Sequence, residues 1–161
     1  FERENLSFFL HDMRNSFYIN YFDVALNLFT SFGYFETDTE NVKAIHAMSQ
    51  SLKKGGKMAI DFFNATKVSR ELTPQEYISR DGILFLVEKK FEGNAVIKRI
   101  YFQDRGQEFE FEEKVQSLQL SDFERYFEKN RLKIIHVFGD YQLNPFDAEN
   151  SDRMIIIGEK Y

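Results

Sequence analysis

Cysteine is absent from this chain of 161 residues, and so is tryptophan. Without cysteine there is no disulfide framework, no thiolate metal site and no cysteine nucleophile. That absence fits a reducing compartment. There is no arginine-rich block either, and the formal net charge is −5. A protein that grips nucleic acid through its phosphates needs a concentrated basic surface, so no nucleic-acid partner is expected. No apolar run approaches the ~20 residues of a membrane-spanning helix, and the amino-terminal FERENL does not read as a signal peptide. These absences lead us to expect a cytoplasmic protein without a membrane partner. The three histidines, His11, His46 and His136, fall on separate elements without ligand spacing, so no metal site is expected. Neither a GxSxG elbow nor a GK[ST] phosphate loop occurs, and nothing singles out the paired acids of a glycosidase.

What the chain does hold is aromatic side chains, with 19 Phe and 8 Tyr, enough to fill a core and line a pocket. Its length suits one domain, and no repeat, low-complexity tract or linker divides it. The central stretch, residues 22–64, reads strand, polar loop, helix, turn, strand. Phe22-Asp23-Val24-Ala25-Leu26-Asn27-Leu28 is a short apolar run suited to a buried parallel strand. Val42, Ala44, Ile45, Met48 and Leu52 then recur at helical spacing after Thr39-Glu40-Asn41. Lys53-Lys54-Gly55-Gly56 places cations at the negative helix end and glycines where positive φ is needed. Lys57-Met58-Ala59-Ile60-Asp61-Phe62 is the next buried strand. The unit is a βαβ crossover, which makes its strands parallel neighbours.

The order FD opening a strand, NLFTSFGYF at its carboxyl end, a helix, LKKGGKM, and a strand ending in DFFN resembles the central part of a class I S-adenosylmethionine-dependent methyltransferase of the small-molecule type. The resemblance runs over residues 6–161. It implies a Rossmann-like, mostly parallel α/β sheet in the order 3-2-1-4-5-7-6. Residues 6–10 would be the third strand and residues 22–28 the fourth.

The rest of the chain follows the same pattern. Residues 66–77 read as helical or irregular, broken at Pro74. Residues 83–91, 95–103 and 107–118 are β-like runs separated by Glu92-Gly93-Asn94 and Asp104-Arg105-Gly106, which are hairpin signals. We expect an antiparallel meander over residues 80–118, inserted into a single methyltransferase-like domain spanning 1–161. Ser121 and Glu124 have capping-box spacing for the next helix. Residues 132–138 and 154–160 would form a final hairpin.

The resemblance implies S-adenosylmethionine as cofactor and a small-molecule methyl acceptor as partner. Asp12 would accept from the adenine amino group and Met13 would cover the ring. Asn27, Leu28 and Phe29 would border the methionine part of the cofactor, where an aromatic face suits a sulfonium. Phe32, Tyr34 and Tyr141 would wall the acceptor pocket. For Asp12 and Met13 the residues alone favour the other reading, a turn cap and a core side chain. No catalytic residue is assigned. Tyr34, His11 and Tyr141 are the candidates to take a proton, since methyl transfer asks mainly for alignment and exclusion of water.

The family's glycine-rich loop after its first strand, and the acid ending its second, are not found in the sequence. The resemblance therefore implies two βα units ahead of residue 1. We expect a carboxyl-terminal fragment lacking the first two strands, inactive alone, with an open edge beside residues 22–28. A second copy closing that gap as a homo-oligomer is the other arrangement. A non-catalytic methyltransferase-like scaffold or assembly subunit is the competing function.

Overall fold

The architecture was taken from a computed structural model that describes residues 5–161. Phe1 to Glu4, most of the FERENL stretch, lie outside the described residues. Two four-stranded sheets carry the fold. The first contains β1 (Phe22–Asn27), β2 (Leu52–Phe63), β7 (Leu132–Phe138) and β8 (Arg153–Lys160), in the order β1-β2-β8-β7. This is the 4-5-7-6 portion of the expected order. β1 and β2 are parallel, whereas β8 runs antiparallel to both β2 and β7. The sheet expected to be mostly parallel is therefore mixed among the described residues, with one parallel pairing and two antiparallel ones.

Helix α1 (Asp38–Ser51) makes the crossover between β1 and β2. Thr37 caps it, accepting from the Glu40 amide while the Glu40 carboxylate accepts from the Thr37 amide. Leu52 does not continue the helix: it is the extended C-cap, wholly buried, and already pairs with Phe22. The register then jumps to Val24 opposite Lys57, so the KKGG turn loops out of the ladder. Gly56 is required there, because a Cβ would sit 2.9 Å from the Lys53 carbonyl oxygen.

A short helix, α2 (Ala65–Glu71), follows β2. Met58, Ile60 and Phe62 alternate along β2 onto one face, where Ala44 and Ile45 of α1 meet Phe123, Tyr126 and Phe127 of α3 (Leu120–Lys129). Phe32 is wholly buried in that same cluster. Helix α3 starts earlier than Ser121: Gln119 is the cap, with its amide donating to Asp122 Oδ2 at 2.9 Å. On the opposite face, Val24 and Leu26 of the edge strand β1 are 53% and 61% exposed.

Residues 6–10 form no named strand among the described residues, contrary to expectation. Phe8, Phe9 and Leu10 are exposed instead. A strand exists through its ladder, and no described strand pairs with this segment.

The second sheet is a meander of β3 (Gln75–Arg80), β4 (Ile83–Glu92), β5 (Ala95–Asp104) and β6 (Gln107–Gln116), paired antiparallel in sequence order. It has one strand more than the sequence suggested. The β3–β4 turn, Asp81-Gly82, has φ of 52° and 80°, the left-handed pair of a type I′ hairpin. No helix is long and apolar enough to cross a membrane among the described residues.

Candidate active site

The carboxyl ends of β1 and β2 meet the loop of residues 28–36. Asp61, near the end of β2, is wholly buried and organises this rim. Its Oδ1 accepts from Arg153 Nε at 2.7 Å, and its Oδ2 accepts from the Phe29 amide and the Tyr141 hydroxyl, both at 2.9 Å. Arg153 Nη2 also donates to Thr30 Oγ1 at 2.9 Å, while the Thr30 amide donates to the Asp61 carbonyl at 3.0 Å. A buried carboxylate with one guanidinium and two further donors is charge-balanced and well satisfied.

That network holds an unusual backbone. Phe29 and Thr30 are consecutive non-glycine residues in the left-handed region, with φ of 57° and 58°. Gly33, with φ of 85°, turns the chain back where Phe62 and Val115 leave no slack, and its carbonyl accepts from the Gln116 amide at 2.7 Å. The loop is thereby joined to the last meander strand.

Between loop and meander lies a cavity of about 360 Å3. Phe29, Phe63, Val68, Val96 and Val115 give it apolar walls. Thr30, Tyr34, Lys98 and Glu113 bring polar groups to it. Lys98 and Glu113 face each other across β5 and β6 with Nζ to Oε2 at 3.2 Å. Burial raises the Tyr34 phenol above its ordinary pKa, and the Glu113 charge adds to this, so Tyr34 is a hydroxyl donor at neutral pH. An apolar pocket with a few convergent polar groups is the usual form of a small-molecule site.

The residues expected to form the site divide. Phe29 and Tyr34 line the cavity together. Phe32 does not: it is wholly buried against Phe123 and Tyr126, with ring centroids at 5.6 and 6.4 Å, so it belongs to the core. Tyr141 borders the rim through Asp61 rather than the cavity wall. Burial and the bond to Asp61 raise its pKa, and its proton is committed to that carboxylate. Asn27 is buried at the end of β1, and its Oδ1 has no hydrogen-bond partner among the described residues. The Leu28 carbonyl accepts from the Ser31 amide and hydroxyl. Asp12 is turned to Arg14, whose Nε lies 3.0 Å from Oδ1 and whose Nη2 lies 2.6 Å from Oδ2. That guanidinium also reaches Glu40, which docks the turn of residues 12–15 onto the start of α1. Met13 packs half-buried against the core. His11 Nε2 pairs with the Asn15 carbonyl at 2.8 Å. Asp61, Arg153, Thr30, Phe63, Lys98 and Glu113 were not singled out from the sequence. NLFTSFGYF, which contains Thr30, and DFFN, which contains Asp61 and Phe63, marked three of them without naming any.

No family model matches the sequence, and comparison with curated proteins finds no match. Solved structures are informative. An S-adenosylmethionine-dependent methyltransferase of Clostridium acetobutylicum superposes with a TM-score of 0.82 at 22% identity, over 93% of this chain and 63% of its own. A sugar N-methyltransferase of Streptoalloteichus gives 0.73 at 16% identity, over 93% and 60%. An amino pentose methyltransferase of Micromonospora echinaspora, solved with S-adenosylmethionine bound, gives 0.69 at 18% identity, over 94% and 63%. The chain thus has the fold of the class I methyltransferases and spans less than two thirds of the length of these relatives.

Proposed function

We propose that this chain forms the acceptor side and part of the donor side of an S-adenosylmethionine-dependent methyltransferase acting on a small-molecule acceptor. The observation that carries this reading is the rim at Asn27, where a buried Oδ1 without a donor among the described residues lies at the end of β1, next to the loop that walls the 360 Å3 cavity. An orphaned buried acceptor is costly unless a ligand or water supplies the proton donor. S-adenosylmethionine fits, since it carries an ammonium group, and Asn27, Leu28 and Phe29 would border its methionine part. Asp12 and Met13 would stand at its adenine, with Asp12 keeping lone pairs beyond those that Arg14 uses.

When bound, that cofactor supplies a methyl group on a positively charged sulfur. The chain's own residues then have three tasks. Phe29, Phe63 and the three valines exclude water around the acceptor. Thr30 and Tyr34 orient it by hydrogen bonds, and the Asp61–Arg153 pair fixes the loop that presents Thr30. The acceptor's proton passes to the Glu113 carboxylate and from there to solvent. Tyr34 and Tyr141 do not take this role, because both phenols are held protonated.

Calorimetric titration with S-adenosylhomocysteine tests the donor side, and a radiolabelled-methyl assay over small amines and alcohols tests the acceptor side. Saturable heat and transfer are expected from the complete protein. No heat and no transfer would return the chain to the scaffold class.

A further inference from the structure

At the amino ends of β1 and β2, on the order of 20 Å from the rim just described by strand length, lies a second cavity of about 470 Å3. Lys129, Arg131 and Lys160 line it, and no carboxylate does. None of the three cations forms an ion pair among the described residues, although the chain as a whole is acidic. Asp38, whose carboxylate feels Lys129, is held bidentate by Arg125 at 2.7 and 2.8 Å. Lys160 Nζ donates to Asn20 Oδ1 at 3.0 Å and to the Leu52 carbonyl at 2.7 Å, neutral partners that leave its charge uncompensated. Burial, reinforced by the nearby Arg131, holds the Lys160 ammonium below its ordinary pKa.

The ordinary role for cations here would be to neutralise the carboxyl ends of α1 and α3. Those ends are already satisfied. The Gln50 and Ser51 carbonyls accept from the Asn20 and Tyr21 amides at 2.9 and 2.8 Å. The Phe127 and Glu128 carbonyls accept from the Asn130 and Arg131 amides, and Ser49 Oγ donates to the Asn130 carbonyl at 2.8 Å. His46 is likewise engaged, through Asn130 Oδ1 and Gln50 Nε2, both at 3.0 Å. What is left over is positive charge with free donors: a guanidinium fork and two ammonium groups around one hollow. A fork flanked by point charges matches the oxygens of a phosphate group.

We propose that this cavity binds a phosphate-type oxyanion carried by a small soluble molecule. The site is independent of methyl transfer.

The test is titration of the complete protein with inorganic phosphate and with methyl phosphate, ionic strength being held constant with sodium chloride. Binding is read by calorimetry and by amide chemical-shift mapping. Saturable binding is expected, with shifts confined to Gln50, Asn130, Arg131 and their neighbours. The R131Q/K129Q variant should weaken it tenfold or more. Both side chains are exposed and unpaired among the described residues, so the variant should keep its urea midpoint. Shift mapping on the unaltered protein gives a readout that does not depend on the variant. Absence of saturable binding, scattered shifts, or unchanged affinity in R131Q/K129Q would overturn the proposal. So would binding to phosphatidic acid vesicles without binding of either soluble phosphate.

Discussion

Arg153 Nε donates to Asp61 Oδ1 across 2.7 Å, although the two residues lie 92 positions apart in the chain. They are diagonal neighbours on one face of the antiparallel β2–β8 ladder, since Arg153 pairs with Phe63 and Asp61 with Ile155. From that position the pair reaches down to Phe29 and Thr30 and holds both in the left-handed region. β8 therefore shapes the loop after β1.

Removing the carboxylate would leave the Arg153 guanidinium, whose side chain is only 20% exposed, without its counter-charge. Asp61→Ala should cost about 3 kcal/mol of stability in urea unfolding. Tyr141→Phe, which removes one donor to the same carboxylate, should cost about 1 kcal/mol. Amide exchange at Phe29, whose N–H points at Asp61 Oδ2, should accelerate in the first variant. Unchanged exchange there would mean that the loop holds its shape without the pair.

In the turn of residues 12–15, docked onto the start of α1, Asp12 titrates in a range that can be checked directly. The bonds from the Arg14 side chain and amide hold its carboxyl at about 2, below the ordinary 3.8. Its folded pKa is depressed. Whatever stability the pair contributes is therefore fully present above pH 3.8 and is lost as the pH falls through about 2. In carbon-detected titrations Asp12 should have a midpoint near 2 in the natural chain and near 3.8 in Arg14→Ala. Equal midpoints would show that Arg14 is not its partner in solution.

The parts legible in the sequence were those with a local period or a local turn. Val42, Ile45 and Met48 at helical spacing marked α1, and Glu92-Gly93-Asn94 marked the β4–β5 hairpin. Asp81-Gly82 carried an equally strong hairpin signal, but Pro74 drew the preceding stretch toward an irregular reading and β3 was missed. Ser7-Phe8-Phe9-Leu10 has β-type residues, yet side-chain preference cannot supply a ladder partner. Phe29, Phe32 and Tyr34 are aromatic neighbours in an aperiodic loop, and composition does not say which one turns inward. Left-handed Phe29 and Thr30 decide it, and their cause is Asp61 and Arg153 on distant strands. Contacts of that range leave no trace in a single sequence. Nothing in the sequence separates Lys98 or Glu113 from the other charges of the meander, and only the docking of their face over the loop makes them pocket residues.

Packing in the first sheet gives a prediction with a clear steric origin. Gly158 of β8 lies under the Phe127 ring, where an added Cβ would come within 2.6 Å of Cε2 and 2.8 Å of Cδ2. Phe127 is itself buried among the core residues and cannot swing away. Gly158→Ala should destabilise by about 2 kcal/mol. Combining it with Phe127→Leu should cost less than the sum of the two single changes, because each relieves the other. Strict additivity in a double-mutant cycle would refute the contact.

Glu113 offers the sharpest test of the chemistry, because it is the one carboxylate among the residues lining the cavity. Glu113→Gln keeps the shape and most of the hydrogen bonding but cannot take a proton. If that residue receives the acceptor's proton, kcat should fall about a hundredfold with little change in KM. Lys98→Gln, which frees the carboxylate from its 3.2 Å partner, should leave kcat within a few-fold of the natural value. A rise in KM alone for Glu113→Gln would instead make Glu113 a binding group, with the proton leaving directly to water. Equal losses in both variants would assign the pair to holding β5 against β6 rather than to the reaction.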